Sequence, residues 1–247
     1  MKKLFSISIS LLILFLSINN SNSQLRIVLG PAIGYTIPSA DYGGSTSDFY
    51  NGTSYGLSPG INFGAMGKLG LGPINFNLSV VYSPLSNTGT AATTKAGSTV
   101  EIKQNLLTIG VGSQFGFGVP LAPIKPYIGL DILFTSISGS VNYSGGTPEV
   151  SDGKFDMQTA SRTGLGIAGG IEFKIMSTSL DLSLRYNMIN LFSKSFEGLN
   201  NSDRRESYRY LNDAKDPNYG ADIKKHPIGS DRSIATIQLQ LGVLFGF

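Results

Sequence analysis

The sequence predicts an all-β chain: an eight-stranded antiparallel up-and-down transmembrane β-barrel, preceded by a cleavable signal peptide. Three observations carry this. Apolar residues recur at every second position in eight separate segments, the pattern of strands with one apolar face. The connections between those segments alternate between long and short. The opposite faces are built from Gly, Ala, Ser, Asn and Gln, and charged residues make up only 14% of the chain, against about 25% in ordinary soluble domains.

The leader comes first. Lys2 and Lys3 form a positive start, Leu4 to Leu16 is an apolar run, and Ser21-Asn22-Ser23 offers small residues before Gln24. These are the three parts of a secretory signal peptide. The apolar run falls short of the ~20 residues of a membrane-spanning helix. The expected division is therefore a signal peptide over 1–23 and a barrel domain over 24–247. Loss of Lys2 and Lys3 lowers the formal net charge from +3 to +1, so nothing in the charge balance points to nucleic acid. The absence of Cys excludes a disulfide framework, a thiolate metal site and a lipidated amino-terminal Cys.

The strands follow in order. Leu25 to Tyr35 sets Leu25, Ile27, Leu29, Ile33 and Tyr35 against Arg26, Gly30, Ala32 and Gly34. Residues 38–54 are polar and Gly-rich and read as a loop. Tyr55 to Leu69 sets Ile61 and Phe63 against Asn62, Gly64 and Lys68. After a short turn at 70–73, Ile74 to Tyr82 alternates cleanly. A polar stretch, 83–98, reads as a second long loop. Thr99 to Phe117 sets Leu107, Ile109 and Val111 against Thr108, Gly110 and Gly112. A short connection with Pro120 and Pro123 leads to Pro126–Tyr143, and a third long loop spans about 144–161. Thr163 to Ile175 and Leu180 to Met188 flank a tight turn at 176–179. The fourth long loop, about 190–232, precedes the last strand, Ser233 to Phe247.

Alternation alone does not say which face looks inward. A soluble lipocalin-like carrier would turn its apolar face in. Here the polar faces are small and nearly uncharged, as a narrow eight-stranded interior demands. Aromatics also sort to the strand ends: Tyr35, Tyr55, Tyr82 and Tyr143 beside the long loops, Phe117, Phe173, Phe245 and Phe247 beside the short connections or the terminus. That resembles two interfacial girdles. In lipid a closed barrel pairs every backbone group without a helix. The few charges on the polar faces, Arg26, Lys68, Asp131, Glu172, Lys174, Asp181 and Arg185, are expected to pair inside the lumen. Unpaired charges there would cost several kcal/mol each.

Few motifs carry chemistry. Gly164-Leu-Gly166-Ile-Ala-Gly169 has the spacing of a dinucleotide fingerprint but sits inside an alternating strand, without the strand-turn-helix context that gives the motif its meaning. His226, the only His, has Ser230 and Asp231 nearby in sequence; a lipid-modifying enzyme would need these in a triad. No serine elbow and no metal-ligand spacing accompany it, and no cofactor is expected. The loop over 190–232 carries eight basic and seven acidic residues with Tyr208, Tyr210 and Tyr219 among them. Arg204, Arg205 and Arg209 suit anionic groups, because guanidinium binds phosphate bidentately. The loop is thus a candidate for recognising an extracellular ligand.

The whole expected mature chain resembles the small eight-stranded bacterial outer-membrane β-barrels, the porin-like group known as the outer membrane protein beta-barrel domain. The resemblance rests on the architecture and on the ending Leu239-Gln-Leu241-Gly-Val243-Leu-Phe245-Gly-Phe247. It implies an integral protein of the Gram-negative outer membrane with outer-membrane lipids as its surroundings. It also implies recognition by the barrel-assembly machinery, with Phe245 and Phe247 as the assembly signal. The expected role is non-enzymatic, a structural or surface-interaction envelope protein acting through its external loops. A small-solute porin-like channel and an outer-membrane lipid-modifying enzyme are the alternatives.

Overall fold

The computed structural model describes residues 26–91, 96–118, 123–146, 151–196, 209–215 and 230–246. Eight strands form the barrel: β1 (Arg26–Ser39), β2 (Gly60–Leu71), β3 (Ile74–Thr90), β4 (Thr99–Gly116), β5 (Ile124–Ser144), β6 (Gly153–Ile175), β7 (Thr178–Met188) and β8 (Ala235–Gly246). The sheet closes in the order β1-β8-β7-β6-β5-β4-β3-β2, and every neighbouring pair is antiparallel. The expected number and order of strands are those found. Closure pairs the last strand with the first, Leu29 facing Phe245 and Ile33 facing Leu241.

The strands differ greatly in length: β4 and β5 match the long strands expected over Thr99–Phe117 and Pro126–Tyr143, whereas β3 and β6 run well beyond the expected Ile74–Tyr82 and Thr163–Ile175. β2 and β7 hold 12 and 11 residues, close to the ~9–11 that a tilted strand needs to cross a bilayer. β3, β4, β5 and β6 hold 17, 18, 21 and 23. At about 3.3 Å per residue, these four contiguous strands run far beyond the hydrocarbon. The ring therefore has a low side, β7-β8-β1-β2, and a tall wall, β3 to β6. The polar stretches 83–98 and 144–161, expected to be loops, are largely strand, and the connections there shrink to 91–98 and 145–152. Conversely, Tyr55–Leu57, expected as the start of the second strand, lies outside the sheet and is buried.

A β-bulge explains part of the misreading. Ile137 pairs with Ala160 but Gly139 pairs with Met157, so two residues of β6, Gln158 and Thr159, face one of β5. The extra residue inverts the inward and outward phases of β6. Below the bulge Arg162, Ala168 and Glu172 face in. Above it Phe155 and Met157 face in, packing on the core, while Lys154 and Asp156 face water.

The polarity of the two halves is opposite. In the lower half the outward residues are exposed and apolar: Leu29 and Ile33 on β1, Phe76 to Tyr82 on β3, Leu107 to Val111 on β4, Ile128 to Phe134 on β5 and Leu182 to Tyr186 on β7. Above Tyr82, Leu107 and Phe134, the outward positions become Pro84, Asn105 and Ser136. Inward, β4 changes in the other sense, from Thr108 below to Leu106, Ile102 and Val100 above. Most of the main apolar core lies in this upper part. It joins Leu85, Ile102, Leu106, Ile137, Val141 and Tyr143 of the wall to Tyr42, Phe49, Tyr50, Tyr55 and Leu57 of the first connection, and to Ile189, Leu211 and Ile234. A short helix, α1 (Thr46–Tyr50), is fixed there by a capping box between Ser45 and Asp48.

Candidate functional site

The lumen is stacked in layers from the end that bears the short turns. Lys68 on β2 is 5% exposed and sits between two carboxylates. Its Nζ pairs with Asp181 on β7 and lies 3.6 Å from Glu172 on β6. Arg26 Nη1 pairs with Glu172 at 2.6 Å, and Arg26 Nη2 donates to Ser179 Oγ at 2.6 Å. The Tyr127 hydroxyl donates to Asp181 at 2.8 Å, and its ring lies 4.3 Å beneath the Lys68 ammonium. Room for that ring comes from Gly170, where a Cβ would stand 2.5 Å from the phenol. One layer up, Arg185 pairs with Asp131 at 2.8 Å, which also accepts from Asn77 Nδ2 at 2.5 Å. These charges are placed on inward faces of different strands, so closure of the barrel brings them into contact. A buried charge stripped of its partner costs roughly 3–5 kcal/mol; here each has one.

Six of the seven charges expected in the lumen thus meet, in two groups. Lys174 does not join them. It faces the same side as Glu172 but lies two residues nearer the end of β6, where it is exposed. The void beside Lys68, Asn77, Gln114 and Arg185 is about 10 Å³, room for about one water.

Above the charges the lumen is neutral and hydrogen-bonded. Asn62 Nδ2 donates to Thr36 Oγ1 at 2.8 Å, Thr36 and Ser83 share a bond of 3.0 Å, and Gln240 Nε2 donates to Asn62 Oδ1 at 3.3 Å. Thr108 and Thr135 form a similar pair across the wall at 3.0 Å.

The apolar cap closes the mouth, and its polar hub is Asp213, which is fully buried. Its carboxylate accepts from the Tyr55 hydroxyl at 2.9 Å, from Asn190 Nδ2 at 2.9 Å and from the Ser195 amide at 2.8 Å. Arg162 of β6 pairs with it at 2.8 Å. Arg232 stacks over the Tyr55 ring at 4.2 Å and donates to the Asn212 carbonyl at 2.8 Å. Lys215 pairs with Asp41 at 2.6 Å. Burial pushes the Tyr42 and Tyr55 hydroxyls well above the usual phenol range, with the Asp213 carboxylate adding to the rise at Tyr55. Both therefore stay protonated donors. Asp213 and Arg232 belong to the stretch over 190–232 expected as a long loop, yet both are buried. Arg162 carried a legible signal, because it continues the inward phase of β6 below the bulge.

The remaining candidates fall as follows. Tyr35 and Tyr82 are exposed, joined by Tyr186, and Phe117, Phe173 and Phe245 are exposed towards the short-turn end. Tyr55 and Tyr143 are buried instead; Tyr143 faces the core because β5 has already left the apolar belt. Arg209 is exposed. Arg204, Arg205, His226 and Phe247 lie outside the described residues. Asp231, the acidic neighbour of His226, pairs with Lys194 at 2.6 Å. Among the described residues no His, Cys, Asp and Glu cluster is placed to hold a metal ion.

A family model described as "Outer membrane protein beta-barrel domain" matches residues 8–245. No curated protein matches the sequence. Among solved structures, the chain is similar to Neisserial surface protein A, at 17% identity, covering 90% of this chain and 97% of that one, with a TM-score of 0.46. It is similar to the N-terminal β-barrel domain of Pseudomonas aeruginosa OprF, at 14% identity, covering 91% and 100%, with a TM-score of 0.42. It is also similar to OprG from Pseudomonas aeruginosa, at 9% identity, covering 91% and 97%, with a TM-score of 0.44.

Proposed function

Because the chain belongs to the outer membrane protein beta-barrel domain family and resides in the outer membrane, we propose that it is a non-enzymatic envelope protein that presents a folded external cap to its surroundings. Short turns face the periplasm and longer connections face outward in such barrels. The observation that carries the reading is closure at two levels. Ion pairs and hydrogen bonds fill the lumen, and an apolar core closes the mouth above it. A porin-like channel would need an open polar path at both levels. For a lipid-modifying enzyme the described residues offer Asp231 as an acidic neighbour of His226 in sequence, and it pairs with Lys194 at 2.6 Å.

Surface recognition then falls to the cap and the loop that feeds it, with Arg204, Arg205 and Arg209 as the side chains suited to phosphate or sulfate. The leader over 1–23 and the assembly role of Phe245 and Phe247 belong to the same reading. Planar bilayers loaded with the purified chain are expected to stay silent. Regular conductance steps would favour the channel. On intact cells, a sulfated polysaccharide is expected to bind the wild type and to be lost on triple replacement of the three arginines by Ala. Unchanged binding would remove them from the site. Membrane-extracted protein is expected to begin at Gln24, and deletion of Phe247 is expected to lower outer-membrane levels.

A further inference from the structure

The tall wall carries a register irregularity between Ile137 and Gly139. Gly139 of β5 approaches β4 so closely that a Cβ there would stand 2.0 Å from the Lys103 carbonyl oxygen. The bulge of β6 lies directly beside it, and bulges bend the strands that carry them. The result is a groove of about 460 Å³ on the outside of β3, β4, β5 and β6, lined by Ser86, Lys103, Asn105, Ser138, Ser140 and Lys154 among others. That is within the size range of small-molecule sites.

The position of the groove is as telling as its lining. Its lowest outward residues, Pro84 and Asn105, are the first above Tyr82 and Leu107, the top of the apolar belt. The Tyr82 hydroxyl at the belt edge donates to Asn105 Oδ1 at 3.1 Å. The groove is therefore continuous with the lipid-facing surface and opens at the depth of the outer-leaflet headgroups. Its chemistry is mainly hydroxyl, amide and ammonium, with the Asp156 carboxylate and the apolar Leu85 and Met157 also in the lining. Lys103 rests on Glu101 at 2.7 Å and Lys154 on Asp156 at 3.1 Å. Both pairs are exposed, and such pairs are weakly held and exchange readily.

We propose that this groove is a headgroup site for a phosphorylated glycolipid of the outer leaflet. Lys103 and Lys154 swing from their carboxylates to the phosphates, while Ser86, Asn105, Ser138 and Ser140 bond the sugar hydroxyls. The occupant is a membrane lipid, because a groove that continues the belt receives the headgroup while the acyl chains lie along Leu107, Ile132 and Phe134.

The test uses the full chain folded in detergent, with retained lipid read by native mass spectrometry. The probes are lipid A (a diphosphorylated disaccharide lipid), the same lipid with its phosphates removed, and phosphatidylglycerol. Lipid A is expected to be retained in preference to both others. Lys103→Ala with Lys154→Ala is expected to weaken retention about tenfold or more, from roughly 1 kcal/mol per lysine at a membrane surface. Ser138→Trp, which fills the groove without changing charge, is expected to weaken it as well. Lys174→Ala, at the opposite end of the barrel, is expected to leave it unchanged. A folded wild type that holds lipid A no better than phosphatidylglycerol overturns the site while leaving the membrane seating intact. Equal retention by the double lysine variant overturns it too.

Discussion

Ile132 and Ile137 lie five residues apart on β5 and occupy opposite worlds. Ile132 points outward and is 51% exposed, in the apolar belt; Ile137 points inward and is fully buried in the cap core. The lower half of the barrel is apolar outside, as a bilayer requires, and mostly polar inside, with a small apolar cluster of Val28, Ala32, Met66 and Leu244 among the polar groups. The upper half of the same strands is polar outside and apolar inside, as water requires. One sheet therefore obeys two solvents. The change falls where Tyr82, Leu107 and Phe134 give way to Pro84, Asn105 and Ser136.

The largest effects should come from buried charge, and they should differ in where they strike. Asp213→Ala leaves Arg162 without its carboxylate, at about 3–5 kcal/mol. The expected result is a cap that exchanges its amide hydrogens and is cut by protease, above a barrel that still shifts its gel mobility on heating. Lys68→Met exposes Asp181 to a similar penalty in the lower half. There the expected result is a lower urea midpoint for the whole barrel. Identical behaviour of the two variants would mean that the halves do not unfold separately.

Charge on the outward face comes next. Ile132→Arg should destabilise the inserted barrel by roughly 2–4 kcal/mol, whereas Ser138→Arg, outside the belt, should stay within about 0.5 kcal/mol. Reversible unfolding in lipid vesicles measures both. Truncation then sharpens the contrast: Ile137→Ala should cost ~2–5 kcal/mol by opening a cavity. Ile132→Ala should cost less than half as much, since lipid chains fill the space.

The smallest effect is one of pH. The hydroxyls of Tyr42 and Tyr55 are held above the ordinary phenol range by burial. Their contribution is therefore complete below about pH 10, the unfolded value, and is lost as pH rises above it. Absorbance of ionised phenol should lag for two tyrosines until the cap loosens. Tyr55→Phe should remove one of them from the lag.

The barrel itself was legible because alternation with a period of two survives any register, and because Ile128, Leu130, Ile132 and Phe134 repeat it without interruption. The inward placement of Asp131, Asp181 and Arg185 followed from the same parity. Their partners did not, because register and closure decide who meets whom. Lys174 shows the limit: it has the right parity but lies too near the strand end. The tall wall was legible in β4 and β5 but hidden in β3 and β6. The outward residues of upper β3, such as Ser86 and Thr88, have the composition of a loop. The bulge at Gln158 and Thr159 also shifts the phase of Phe155 and Met157. Asp213 and Arg232 stayed unread because a stretch of mixed charge says nothing of a single carboxylate buried within it.

The inversion can be measured along one strand. The chain has no Cys, so single Cys replacements through β5, from Ile128 to Ser144, each carry one spin label in reconstituted membranes. Outward positions 128, 130, 132 and 134 should collide with oxygen dissolved in lipid, and positions 136, 138, 140 and 142 with a water-soluble nickel chelate. Positions 137 and 141 should be shielded from both. Oxygen contact that continued through 142, or a chelate that reached 137 as freely as 138, would contradict the two-solvent barrel.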